Sequence, residues 1–169
     1  MQPNAFEVLG LPVRYTLTHT DIEQAFYARI VSAHPDLSGS GSLIDPSALN
    51  EARRILLDDE SRARAFLDIR APGAQAPPLS PDFLAEVLDV REQAQEAVET
   101  GDAARIARWR SWADEQRRSL SEAFASLMAD HEDTVPREVA RQAAGVLQRW
   151  RYVERMLEQV GVPAHAPDA

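Results

Sequence analysis

The sequence contains no cysteine and no lysine, and it has no apolar stretch long enough to cross a membrane. Without cysteine, the chain cannot form disulfides, thiolate nucleophiles or cysteine-based metal sites. A transmembrane helix needs about 20 mostly apolar residues, so we expect no membrane partner. The N-terminus also shows no basic patch followed by an apolar run, the pattern of a secretory signal. These absences favour a cytoplasmic protein.

The charge balance and the scarcity of histidine argue against further classes of site. Eighteen arginines stand against 27 acidic residues, a formal net charge of −9. Nucleic-acid binding relies on cations that neutralise phosphates, so we expect no nucleic-acid partner. The four histidines, at positions 19, 34, 131 and 165, are not spaced as metal ligands. No nucleophile, general base or phosphate-binding loop is recognisable, so we expect no enzyme, no metal and no cofactor.

A proline-rich segment divides the chain. Residues 71–80, APGAQAPPLS, hold three of the eleven prolines and no charge, which is typical of a semi-stiff linker. We predict one domain over residues 1–70 and a second over residues 81–160. The tail at 161–169 is expected to be disordered.

The first half has the pattern of a helical hairpin. Asn4 can cap a short first helix. Thr18 or Thr20 can cap a second helix, with Thr20 and Glu23 forming a capping box. The apolar positions of that helix are Ile22, Phe26, Ile30 and Ala33. A third helix is predicted to begin near Pro46, a favourable first-turn residue. Its buried side would hold Leu49, Ala52, Leu56, Ala63, Phe66 and Leu67.

The second half has the pattern of a three-helix bundle. Ser80 can start a helix that runs to about Glu99, Gly101 can end it, and Asp102 can cap the next. Apolar residues in the three helices recur every three or four positions, which favours antiparallel packing. On the first of these helices the apolar stripe comprises Phe83, Val87, Val90, Ala94 and Ala97. The chain is therefore predicted to be all-α.

The tripeptide His34-Pro35-Asp36 stands where the second helix of the first half should end. Proline disfavours helical backbone in the residue before it, so an ordinary helix stop is one interpretation. A catalytic histidine needs an orienting carboxylate and a substrate pocket, and nothing nearby supplies them. The tripeptide by itself is thus compatible with a simple turn.

Four ordered motifs, however, resemble a J domain and, more closely, the HscB family of J-type co-chaperones of iron–sulfur cluster assembly. AFEVLGLPVRYTL (5–17) is similar to the start of that family, and the tripeptide follows at the family's distance. LNEARRILLDDESRARAFL (49–67) is similar to the third J-domain helix, and DFLAEVLDVREQ (82–93) to the opening of the C-terminal domain. The resemblance implies an L-shaped protein with a J domain and a client-binding three-helix bundle.

The resemblance implies that the tripeptide contacts a DnaK-type, HscA-like chaperone and that the protein stimulates its ATPase. His34 would orient the loop, Pro35 would stiffen it, and Asp36 would make a charge-assisted contact. Arg29 is the only basic residue of the second helix and would join this contact.

The second helix departs from the J-domain pattern. J domains usually carry a basic second helix, whereas Arg29 here stands against Asp21 and Glu23. The lysine that usually follows the tripeptide is Leu37. We therefore expect weak electrostatic steering toward the chaperone. An alternative that stays open is a degenerate J-like adaptor that binds a client through the bundle without stimulating a chaperone.

The resemblance also implies a surface for an IscU-type iron–sulfur scaffold protein. By position, its residues are Leu84, Ala85, Leu88, Asp89, Glu92, Glu96 and Tyr152. Leucine and tyrosine would form an apolar centre and the carboxylates a rim for a basic partner. Tyr152 lies about half a turn from the apolar seam of its helix, which predicts no core role. Ala85 replaces the larger apolar residue usual there. A plain solvated face is the alternative interpretation.

Overall fold

The computed structural model describes residues 3–33 and 45–161, and these residues form seven α-helices and no strand. In chain order the helices are α1 (Ala5–Leu9), α2 (His19–Ala33), α3 (Pro46–Leu57), α4 (Asp59–Arg70), α5 (Pro81–Thr100), α6 (Ala103–Met128) and α7 (Arg137–Gln159). The all-α prediction is confirmed. None of these helices combines the length and the apolar content that crossing a bilayer requires.

The chain separates into two compact units. The first comprises Met1–Ala74 together with Met128–Pro136, and the second comprises Gln75–Leu127 together with Arg137–Ala169. The predicted disordered tail lies, apart from its first residue, outside the described residues.

Side-chain caps begin the first two helices. The Asn4 side chain accepts a hydrogen bond from the backbone N–H of Glu7 at 3.1 Å, and the Glu7 carboxylate accepts one from the Asn4 N–H at 3.0 Å. The predicted cap of α1 is therefore confirmed. At α2 the reciprocal pair is Thr18 and Asp21, with distances of 2.9 and 3.1 Å. The predicted box of Thr20 and Glu23 is wrong, because the helix already begins at His19.

The single third helix predicted from Pro46 onward is two helices. Asp58 ends α3 and caps α4: its backbone is extended at ψ 119°, and its side chain accepts a hydrogen bond from the Ser61 N–H at 2.8 Å. An aspartate side chain competes with the helical carbonyl for backbone N–H groups, so it favours a new start over a continuous turn. The six predicted core residues are nevertheless all buried, on α3 and α4.

One predicted core position of α2 is not buried. Ile22 and Phe26 lie in the core of the first unit, but Ile30 is 37% exposed. Each step of four residues moves a side chain about 40° around a helix, so an i, i+4 row leaves the buried face within two steps. The side chain of Ala33, which was assigned to the same face, is outside the described part of the chain.

Arg62 is the one buried charged residue among the described positions, with 6% of its surface exposed. Its Nε donates to the Tyr15 carbonyl at 3.1 Å and its Nη1 to the Leu56 carbonyl at 2.5 Å. Its Nη2 pairs with Asp59. Leu56 lies in the last turn of α3, where carbonyls have no partner within the helix. Arg62 thus ties α4 to the end of α3 and to the segment that precedes α2.

The connections in the second unit follow the sequence prediction. The Ser80 hydroxyl caps α5 by accepting from the Phe83 N–H at 3.3 Å. Gly101 ends α5 in a left-handed conformation, and Asp102 caps α6 by accepting from the N–H groups of Ala104 and Arg105, each at 3.1 Å. These caps are local interactions within three or four residues, so the sequence is sufficient to identify them.

The core of the second unit contains the whole predicted stripe of α5. All five stripe residues are buried, and the other buried members of the cluster come from α6, α7 and the residue after α7. They are Trp109, Ala113, Val153, Met156, Leu157 and Val160. Trp112 is only partly buried against this cluster, with its ring edge-on to Trp109 at 6.4 Å.

The residues before α5 also pack within the second unit. Leu79 is partly buried against the core cluster. Pro77 lies over Gly145 of α7 so closely that a Cβ at Gly145 would come within 3.0 Å of the Pro77 Cδ. The absence of a side chain at Gly145 is what permits this contact.

Candidate partner-binding surfaces

The two carboxylates of α2, Asp21 and Glu23, both have partners within the first unit. Asp21 accepts hydrogen bonds from the hydroxyl and backbone N–H of Thr18, which lowers the pKa of its carboxyl. Glu23 accepts from Nε and Nη2 of Arg53 on α3, at 2.5 to 3.0 Å. That hydrogen bond raises the pKa of Arg53 above its ordinary value. These two carboxylates therefore serve a cap and a helix–helix contact.

Arg29, the predicted chaperone-binding arginine, lies against the C-terminal end of α1. Gly10 there has φ 72°, and a Cβ at this position would collide with the Arg29 guanidinium. Arg29 is half-buried as a result. In this conformation its guanidinium packs on backbone within its own unit.

The outward side of α2 is uncharged. At about 100° per residue, Thr20, Gln24, Tyr27 and Val31 fall within 60° of one another around the helix. Tyr27 is 60% exposed and Val31 57% exposed. The predicted weakness of electrostatic steering from α2 is thus matched by an outer surface that is aromatic and aliphatic. The predicted contact residues His34, Pro35 and Asp36, and Leu37 after them, lie outside the described residues.

The predicted scaffold surface on α5 is open to solvent beside its core stripe. Leu88 is 50% exposed and Leu84 is partly buried. Ala85, Asp89, Glu92 and Glu96 are all exposed. Around the helix these six side chains span about 140° of one continuous face, with the leucines on one edge and Asp89 on the other. The structure therefore brings the α5 members of the predicted site together.

Tyr152 has a core contact that its position on α7 did not suggest. Its ring packs edge-on against Phe83 of α5, with the ring centroids 5.9 Å apart. Tyr152 is partly buried and packs against the core cluster. The prediction of no core role is wrong because a phenol ring is long enough to reach across to the neighbouring helix.

Arg149 was missed by the sequence prediction. Its guanidinium carbon lies 5.0 Å from the centroid of the Phe83 ring, so Phe83 contacts both Arg149 and Tyr152. Arg149 is exposed, so its guanidinium stays accessible to solvent while the Arg149 side chain covers the Phe83 ring. The available signal was its spacing, because a residue three positions before Tyr152 lies on the same side of the helix.

The acidic residues of the α5 surface differ in their partners. Glu96 accepts a hydrogen bond from Nη2 of Arg105 on α6 at 2.6 Å, and this bond raises the pKa of Arg105. Asp89 accepts from the Gln93 side chain at 2.8 Å. Asp89 is therefore hydrogen-bonded to a neutral side chain, whereas Glu96 is paired with a cation of a neighbouring helix.

Within residues 3–33 and 45–161, no three histidine, aspartate or glutamate side chains are grouped so that they could hold a metal ion. The buried cluster of the second unit is lined by apolar and aromatic side chains.

Comparison with protein families matches residues 79–161 to the model described as HSCB C-terminal oligomerisation domain. A curated relative, the co-chaperone protein HscB homolog of Bordetella pertussis, is 26% identical over 167 residues, which cover 92% of each chain. The match to this relative extends over the first unit as well as the second.

Two solved structures share the fold. The crystal structure of human co-chaperone protein HscB superposes with a TM-score of 0.68 at 15% identity, over 95% of this chain and 84% of the human chain. The chaperone HscB from Vibrio cholerae superposes with a TM-score of 0.62 at 22% identity, over 94% of this chain and 96% of the other.

Proposed function

This chain belongs to the HscB family of co-chaperones, and from that premise we propose that it delivers an IscU-type iron–sulfur scaffold protein to a DnaK-type, HscA-like chaperone. It stimulates the ATPase of that chaperone in the cytoplasm. The chain itself is not an enzyme in this proposal, since the nucleotide and the cluster are bound by its partners.

The observation that carries the proposal is the exposure of Leu88 on a helix whose core positions are already filled. Five other residues of α5 supply its buried stripe, so Leu88, half exposed, is not needed by the bundle. An exposed leucine on the same helix face as several carboxylates has the composition of an interface centre with a polar rim. The family model also covers all of α5, α6 and α7.

Substitution of Leu88 tests the scaffold surface. In Leu88→Ser we expect the affinity for an IscU-type scaffold protein to fall about tenfold or more, because truncating an anchor at the centre of an interface costs more than about 1 kcal/mol. Isothermal titration calorimetry measures the affinity. Thermal unfolding should change little, since half of the side chain is already in water.

Val98→Ser is the matched control. Val98 is on the same helix, is 41% exposed and lies about 15 Å from Leu88 along the axis, outside the proposed surface. The affinity of the Val98→Ser variant for the scaffold should equal that of the unaltered protein. Equal losses in the two variants, or no loss in either, would contradict the assignment of the surface.

The chaperone contact is proposed to use Asp36. Steady-state ATPase of a DnaK-type chaperone should rise when this protein is added, and the rise should disappear in Asp36→Asn because the charge-assisted bond is lost. Asp68→Asn, an exposed position on α4 with the same change of charge, is the control. Stimulation that survives Asp36→Asn would exclude this role.

A second candidate function is that of an adaptor that holds the scaffold without stimulating a chaperone. The uncharged outer face of α2 favours it, as does the packing of Arg29 on Gly10, because neither offers cations to an acidic partner. The two functions differ in one measurement. Scaffold binding without ATPase stimulation at any concentration identifies the adaptor.

A further inference from the structure

The two helices of the scaffold surface carry opposite charge. On α5, six carboxylates stand against Arg91 alone. Around Tyr152 on α7 the neighbours three residues away on either side are both arginines, Arg149 and Arg155, and both are exposed. Side chains three apart flank each other on one side of a helix.

The carboxylates of α7 leave the charge of Arg149 uncancelled, because Glu158, three residues after Arg155, is nine residues away from Arg149. Glu154 lies on the opposite side of the helix from Tyr152 and accepts hydrogen bonds from Arg117 of α6 at 2.8 and 2.9 Å. Glu138 is more than three turns away and is hydrogen-bonded to Arg141 at 2.8 and 3.0 Å. The side of α7 that bears Tyr152 is therefore cationic near the tyrosine.

The acidic and cationic zones meet at one aromatic ring. Phe83 of α5 contacts the Arg149 guanidinium at 5.0 Å and the Tyr152 ring at 5.9 Å. Leu84, a member of the apolar centre, follows Phe83 directly. The stacking on Phe83 keeps the Arg149 guanidinium at the border of the apolar centre, so a partner bound there would contact it.

We propose that the scaffold surface is bipolar and that Arg149 determines how the client docks: the client presents basic residues to α5 and a carboxylate to Arg149. This inference rests on the proposed function and adds to it the second charge of the partner. A client with a uniformly basic surface would place a cation against Arg149, and the repulsion between like charges would weaken its binding. A client with both charges can dock in only one orientation, because each charge has to face the opposite charge on this surface.

Charge reversal at Arg149 tests the proposal in the full-length protein. Arg149→Glu should weaken binding of an IscU-type scaffold protein about tenfold at low salt and less at high salt, because a close charge pair is replaced by a repulsive one. Arg118→Glu makes the same change of net charge on the solvent side of α6, outside the surface, and should change the affinity less than about twofold.

Two further variants separate charge from packing. Arg149→Lys keeps the cation and should bind the scaffold within about threefold of the unaltered protein, although it loses the planar stacking on Phe83. The affinity of Arg149→Gln for the scaffold should lie between those of Arg149→Lys and Arg149→Glu. If Gln weakens binding as much as Glu, the role of Arg149 is to cover Phe83 and the proposal is wrong.

A compensating change in the client completes the test. Among scaffold variants in which one exposed carboxylate is changed to lysine, one should restore binding to Arg149→Glu while it weakens binding to the unaltered protein. Failure of every such variant to restore binding overturns the pairing. If the unaltered protein binds no scaffold at all, the proposed function fails together with this inference. If the unaltered protein binds the scaffold but Arg149→Glu and Arg118→Glu change the affinity equally, only this inference fails.

Discussion

Arg62 provides the strongest single test of how the first unit is held together. In Arg62→Ala the guanidinium is removed from a site where only 6% of the residue is exposed. Its contacts disappear together: the hydrogen bonds to the carbonyls of Tyr15 and Leu56, at 3.1 and 2.5 Å, the ion pair with Asp59, and the stacking over the Tyr15 ring at 5.1 Å. Both carbonyls belong to buried residues, and each loses a charged hydrogen-bond donor.

The expected loss follows from these contacts. A hydrogen bond to a charged group contributes about 1.5–3 kcal/mol, and a buried acceptor left without a donor costs a further 1–3 kcal/mol. Removal of the guanidinium also removes its desolvation penalty, which offsets part of this sum. Because the Asp59 side of the ion pair is more exposed, most of the effect should come from the two carbonyls. We expect a decrease in the free energy of unfolding of about 3–5 kcal/mol.

Urea unfolding followed by circular dichroism measures this loss, and native-state hydrogen exchange localises it to α3 and α4. Arg54→Ala is the control: Arg54 pairs with Glu51 on the same helix at 2.7 Å, both side chains are exposed, and its removal should cost about 1 kcal/mol or less. Arg62→Lys should be intermediate, since one ammonium group cannot reach all three acceptors. A loss in Arg62→Ala no larger than in the control would refute the reasoning.

Two other perturbations probe the second unit. In a Pro77→Ala background, Gly145→Ala should raise the free energy of unfolding by up to about 1 kcal/mol. The gain should be much smaller when Pro77 is present, because the added Cβ meets the Pro77 ring at 3.0 Å. Tryptophan fluorescence during thermal unfolding measures both effects, and equal effects would disprove the contact. The hydrogen bonds from Arg141 and Gln142 lower the pKa of Glu138 from 4.5 to about 2. The stabilisation from this depressed pKa is therefore present above about pH 4.5 and is lost as the pH falls toward 2. Carboxyl NMR titration should show the low midpoint, and the midpoint should rise in Arg141→Ala.

The local features of the fold could be read from the sequence. The caps at Asn4, Ser80 and Asp102 and the apolar stripe of α5 depend on residues no more than a few positions apart, and the structure contains each of them. The break at Asp58 was missed although an N-cap signal was present, because high helix propensity on both sides of it favoured a continuous helix. Local signals of this kind can compete, and a sequence alone does not rank them.

The positions of the partner-facing side chains depended on contacts between residues far apart in the chain. Glu23 pairs with Arg53, 30 residues later, and Arg29 packs on Gly10, so both charges are held within the first unit. Tyr152 and Arg149 meet Phe83 some 70 residues away in sequence. Helical periodicity cannot specify such partners, since it gives the side of a helix and not its neighbour.

The sequence by itself therefore determined that this protein is built of helices, where most of them start and stop, which faces are apolar, and which family it resembles. Hydrogen bonds and apolar periodicity within one or two turns carry that information. Only the tertiary structure decided which charges are used internally and which remain for a partner. That outcome depends on how the helices pack against one another, because a guanidinium or a carboxylate is available for binding only where no neighbouring helix already holds it.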